Sequence, residues 1–299
     1  MICYLNLLSK FADSTTNQNQ TSTILKQILS CLGLSLLTCG AAAQVFLTDS
    51  FTYADGPLVG AAGSSWTAHS PGSVLLNVNG GRAFINQADT VGSKEDVSAL
   101  LQSAGSPVTF APDGNANSSD NFLYSAFAVN FSAPPNNTVG SYFAHLKDST
   151  TGFGSRVWAS TLNAAEGAFR IGIANSSTGG AGSGQIATDL SLGVTYEIVT
   201  RYNVDTALST IWLNPTDENS PGVTASDSVT VRTIAGFALR QGTTTATPTA
   251  GAPGSLFLDD LRVGRTFADV TVVPEPHHLA LAAALGLLAF SAYRRRSFR

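Results

Sequence analysis

The stretch Phe169-Arg170-Ile171-Gly172-Ile173-Ala174-Asn175 sets the fold class. Phe169, Ile171 and Ile173 fall on one side of an extended chain, and Arg170, Gly172 and Ala174 on the other. That is the period-two pattern of a strand with one buried and one open face. Tyr196, Ile198 and Tyr202 repeat it opposite Glu197 and Arg201. Similar short runs rich in Val, Ile, Phe, Tyr and Thr lie at 122–131, 141–148, 155–162, 208–214, 234–241 and 255–264, separated by Gly, Pro, Asn, Asp and Ser. No segment carries a long 3.6-residue period and no internal repeat is present, which leaves out helical bundles, propellers and β-helices. About a dozen strands exceed an immunoglobulin-type domain. The expectation is all-β: one antiparallel β-sandwich, two stacked sheets in a jelly roll.

The sandwich accounts for residues 44–270; both ends read differently. Residues 28–43, ILSCLGLSLLTCGAAA, are apolar, follow Lys26 and end in small residues. This is the layout of a signal peptide cut after Ala41-Ala42-Ala43, so that Gln44 opens the exported chain and 1–43 is leader. At the other end, 271–299 holds a rigid Pro274-Glu275-Pro276 turn, a fourteen-residue uncharged run from 279 to 292, and then Arg294, Arg295, Arg296 and Arg299. Fourteen helical residues span about 21 Å against a hydrocarbon core of about 30 Å, which suits transient residence in a membrane. The arginines stay cytoplasmic, with everything before Pro274 on the outer face.

This tail resembles the PEP-CTERM sorting signal of exported bacterial proteins. The resemblance implies an exosortase-type membrane protease as partner and delivery to the cell envelope, outer surface or exopolysaccharide.

Cys3, Cys31 and Cys39 all lie in the leader, so the body forms neither disulfides nor thiolate metal sites. Residues 44–273 carry ten Lys plus Arg against eighteen Asp plus Glu, a net charge of about −8, which argues against nucleic acid as a partner.

Within the body, DSFTYADGPLVG at 49–60 with Trp66, GGRAFINQ at 80–87, KEDVSALL at 94–101 and LFLDDLRVGRTFADV at 256–270 resemble concanavalin A-like lectin/glucanase jelly rolls. The resemblance implies that the first and last strands lie side by side. Glucanases of this fold carry acid and nucleophile on one strand as Glu-x-Asp-x-x-Glu, and that run is absent here. Glu95-Asp96, Asp217-Glu218 and Asp259-Asp260 are adjacent pairs that point to opposite faces of a strand. His69 and His145 are the body's two histidines, and neither Gly-x-Ser-x-Gly nor His-Glu-x-x-His occurs.

The expectation is therefore no enzyme and no catalytic residues, but an exported structural or adhesive protein. Two alternatives stand beside it. A carbohydrate-binding module would need exposed aromatic rings, and Trp66, in a Gly-Ser-rich segment, is the candidate glycan contact. Trp158 and Trp212 lie in apolar strands and read as core. A glycan hydrolase or lyase would need two carboxylates, or a Tyr-His-Arg cluster, converging in a groove. No cofactor is expected apart from a candidate Ca²⁺ loop, Asp113, Asn115 and Asn117, whose oxygens fall at EF-hand positions 1, 3 and 5. Residues 177–185 and 241–254 read as surface loops.

Overall fold

The computed structural model describes residues 44–86, 92–115, 121–177, 180, 183–242 and 252–271. The leader residues Ala41 and Ala43, the motif Pro274-Glu275-Pro276, Arg294, Arg295 and Arg296, and Asn117 lie outside them. Among the described residues no helix is long and apolar enough to cross a membrane.

The described chain is all-β and antiparallel, apart from three isolated bridges, one of them parallel. One sheet has nine strands: β1 (Val45–Asp49), β2 (Gly56–Pro57), β4 (Asn77–Val78), β5 (Ala83–Ile85), β9 (Phe122–Ala133), β14 (Thr195–Asn203), β15 (Ser209–Leu213), β16 (Gly222–Thr224) and β18 (Ser255–Gly264). Its order is β16-β15-β14-β9-β18-β5-β4-β2, with β1 also on β18. The other has seven: β3 (Thr67–Ser70), β6 (Asp96–Leu100), β10 (Ser141–Asp148), β11 (Phe153–Ser160), β12 (Arg170–Ala174), β13 (Gly184–Gln185) and β17 (Ile234–Leu239), in the order β13-β12-β11-β10-β17-β6-β3. A small hairpin of β7 (Gln102–Ser103) and β8 (Ser106–Pro107) and a four-residue helix α1 (Phe267–Val270) complete it.

The eight runs picked from sequence fall on strands within about two residues at each end, and β1 pairs with β18 as the resemblance implied. Phe169, Ile171 and Ile173 are fully buried in one core between the sheets, beside Phe127, Phe131, Phe143, Phe237 and Leu256. Burial of that size, at about 25 cal/mol per Å² of apolar surface, stabilises a body that has no disulfide. Asp49 fastens the N-terminal segment. Its carboxylate accepts from Phe51 N (2.7 Å), Tyr53 Oη (2.8 Å) and Trp66 Nε1 (2.6 Å).

Several expectations change here. Trp66 is 2% exposed and packs on Phe51, so it is a core ring and not a surface platform. Trp212 and Trp158 are buried, but on the outward faces of the two sheets rather than between them. The ring of Trp212 is covered by Phe267 of α1, whose Thr266–Asp269 capping box sequence inspection passed over. Asp259 and Asp260 sit mid-strand, where they charge β18 at a bulge. Gln241, placed in a surface loop by composition, is fully buried; its side chain donates to Val74 O and Glu95 O and accepts from Asn86 N.

Candidate functional site

A polar cluster lies on the outward face of the seven-stranded sheet. In β10, Phe143, Ala144 and Leu146 all belong to the inter-sheet core. The ladder to β11 slips between Tyr142 and Ala144 and again between Ala144 and Leu146, while Ser155 in β11 has φ of 51°. These bulges break the period of two. Tyr142, His145 and Lys147 of β10 therefore share the outward face with Phe153, Arg156, Trp158 and Ser160 of β11.

His145 is 1% exposed. Its ring lies against Phe153 (centroids 4.3 Å), Tyr142 (5.3 Å) and His69 (6.1 Å). β3, which carries His69, stands three strands from β10, about 14 Å on a flat sheet. The two ring centroids are nonetheless 6.1 Å apart, edge to face.

Three cations stand near the His145 and Tyr142 rings. The Arg156 guanidinium carbon lies 5.5 Å from the Tyr142 ring and 5.7 Å from Phe153, and Nη1 donates to Asn175 O at 2.6 Å. The Arg240 guanidinium carbon lies 4.5 Å from the centre of the Tyr142 ring, and the side chain donates to Ser141 Oγ at 2.5 Å and lies 3.9 Å from Asp96. Lys147 Nζ donates to Asp148 O at 3.0 Å and to Thr150 O. Behind them Arg232 lies 3.6 Å from Asp148.

Burial, with His69, Arg156, Arg240 and Lys147 close by, holds His145 well below the ordinary imidazole range. Burial and Lys147 push His69 down to about 4. Both rings are neutral at pH 7 and resist protonation there. Burial pushes the Asp96 carboxyl up to about 6 against the pull of Arg240. Perturbed titrations gathered in one place are a feature of functional sites and of structural ion networks alike.

Polar atoms without a hydrogen-bond partner concentrate here too: both nitrogens of His145, His69 Nδ1, Arg156 Nε, Trp158 Nε1 and Ser160 Oγ. Buried polar groups are normally paired, and leaving one unpaired costs about 1–3 kcal/mol.

Sequence reasoning named His69 and His145 but set them aside. The structure brings together the Tyr-His-Arg combination, as Tyr142, His145, Arg156 and Arg240, that was named as a lyase requirement. The candidate calcium loop is elsewhere. Asp113 Oδ1 accepts from Asn115 N at 2.6 Å in an Asx turn, and Asp113 N donates to Asp205 Oδ1 at 2.6 Å. No group of three or more metal-ligating side chains occurs among the described residues. Gln44 is exposed, and its carbonyl accepts from Arg265 N.

No family model matches the chain, and no curated protein does. Among solved structures it is similar to the Ulex europaeus lectin UEA-II complexed with galactose, at 14% identity and TM-score 0.39, covering 73% of this chain and 98% of that one. It is also similar to alginate lyase Aly36B, at 11% identity and TM-score 0.42 over 76% and 98%. A sialidase matches at 13% identity and TM-score 0.36 over 74% of this chain, which spans about a fifth (19%) of that longer protein. Likeness this distant says nothing of ligand or activity. The expectation of no enzyme is withdrawn: it rested on a missing carboxylate run, which excludes only one kind of glycosidase, and a lyase and a sialidase are among the structures to which the chain is similar.

Proposed function

We propose that this chain is an exported β-sandwich that binds a carboxylate-bearing glycan on the outward face of its seven-stranded sheet. The observation that carries the reading is the gathering of Lys147, Arg156 and Arg240 around a buried imidazole with two unpaired nitrogens, a local cationic cluster that stands out against the net acidic charge of the rest of the body. Cations there meet a sugar carboxylate, and aromatic rings meet its C–H faces. The test is binding of residues 44–273 to uronate-containing and to neutral polysaccharides, with and without calcium for the Asp113 loop. Equal binding to both classes, or to neither, overturns the reading.

The contact of the His145 and Tyr142 rings, with Arg156 5.5 Å from the Tyr142 ring, favours a second reading, elimination on a bound uronate. His145 would take the proton from the carbon beside the carboxylate, and Arg156 would stabilise the resulting charge. The electron pair forms the C=C bond as the glycosidic C–O bond breaks, and Tyr142 protonates the leaving oxygen. Appearance of unsaturated ends in the near-ultraviolet, lost in His145→Gln, tests it.

The tail would serve delivery: Pro274-Glu275-Pro276 and the terminal arginines as the sorting signal of an exosortase-type protease, placing the sandwich at the cell surface in an adhesive or matrix role. Intact mass of the exported protein, with and without that protease, checks this; a tail retained in both contradicts it.

A further inference from the structure

We infer that export converts Gln44 into a pyroglutamate, a closed lactam that blocks the N-terminus of the sandwich. This rests on the export reading above, with cleavage after Ala43. Cleavage there makes Gln44 the first residue and frees its α-amine. The amine nitrogen then attacks Cδ of the same residue's carboxamide. A C–N bond closes a five-membered ring, the bond from Cδ to Nε2 breaks, and Nε2 leaves as ammonia with the proton that the amine gives up. The step consumes no co-reactant.

The structure leaves this residue able to react without disturbing the sheet. Gln44 is tied to the body through its carbonyl oxygen, which accepts from Arg265 N at 3.2 Å beside the Val45↔Gly264 pair of β1 and β18. Ring closure uses the amine and the side chain and leaves that carbonyl as it was. Gln44 is exposed, and its carboxamide makes no hydrogen bond among the described residues, so the side chain can fold back on the amine. It borders an open cavity of about 600 Å³, whose wall includes Phe46, Ser103, Thr109, Phe110 and Arg265, so the ring has room to form. Phe46 and Phe110 lie 4.7 Å apart there, with the Arg265 guanidinium carbon 5.2 Å from the Phe110 ring. A cation on the cavity wall disfavours the charged form of an amine and leaves more of it as the nucleophile. The lactam that results is uncharged, and it removes a positive terminus from a cavity that already holds a guanidinium.

The test is N-terminal peptide mapping of the full chain exported from a bacterial host under its own leader, followed over several days in neutral buffer. The wild-type N-terminal peptide is expected to lack the mass of one ammonia and to resist Edman degradation. Pyroglutamyl aminopeptidase should unblock it, with Val45 as the new first residue. Gln44→Ala, exported in the same way, should keep a free amine at residue 44 and sequence normally. A wild-type chain that begins at Gln44 and keeps its free amine throughout overturns the lactam and leaves the export reading intact. A chain that keeps its leader, or begins elsewhere, removes the cleavage after Ala43 and this inference with it.

Discussion

Tyr142 and His145 meet on one face of β10, ring centroids 5.3 Å apart, although an odd number of positions separates them. In a regular strand they would point to opposite faces. The double inward step at Phe143 and Ala144 turns His145 outward, and the Ser155 bulge does the same for Arg156 in the neighbouring strand. The cluster exists because both strands break register.

Opposed titrations give the fold a defined pH response. His69 titrates at about 4 in the native chain against 6.5 unfolded, and His145 is also lowered. Between these values the unfolded chain binds protons that the native chain refuses, so stability rises with pH from about 4 to 6.5. Asp96, raised from 3.8 to about 6, opposes this, since the native carboxyl keeps a proton the unfolded chain has lost. Burial also raises Glu197 and Asp259, which act in the same sense as Asp96, so the imidazole contribution is read from the difference between wild type and His145→Gln. Between pH 4.5 and 6.5 the urea midpoint should gain more with pH in wild type than in His145→Gln; equal profiles contradict the burial of that ring.

Asp49→Ala leaves Phe51 N, Tyr53 Oη and Trp66 Nε1 without their shared acceptor. A loss of about 3 kcal/mol in denaturant stability is expected. Trp66→Ala should cost about 3–5 kcal/mol by the cavity it leaves, and this loss of fold, not loss of a sugar contact, is its phenotype. A Trp66→Ala protein of unchanged stability would contradict the packing.

Much of the fold was legible and little of the site. FRIGIAN and the other runs announce strands because one face of each is buried between sheets, and alternation records that directly. The outward cluster leaves no such record. His69 and His145 lie on strands three apart in one sheet, Arg156 comes from β11 and Arg240 from just past the end of β17, and bulges hide the common face of Tyr142 and His145 from any period-two count. Trp158 looked like core because its strand is apolar, but its parity with Arg156 and Ser160 placed it on the opposite side from Val157 and Ala159. Trp66 misled because small neighbours suggest a loop, whereas its indole is held by a carboxylate seventeen positions earlier.

Asp227 acts on the cluster from a distance. It accepts from Asn175 N (2.9 Å), Ser176 N (2.7 Å), Ser176 Oγ (2.7 Å) and Ser183 Oγ, and Asn175 O in turn receives Arg156 Nη1. Asp227→Ala should cost about 2–4 kcal/mol in a urea melt. It should also weaken acidic-glycan binding at temperatures where the variant remains folded, because Arg156 loses its support. Unchanged binding in a destabilised variant would show that Arg156 holds its place alone.

The most direct test is isothermal titration of the wild type and of Arg156→Ala/Arg240→Ala with a uronate polysaccharide and a neutral one of similar length, at two salt concentrations. The account predicts binding of the acidic polymer alone, weaker at high salt, and reduced at least about tenfold in the double variant. Binding that is indifferent to polymer charge, or that survives loss of both arginines, would contradict it.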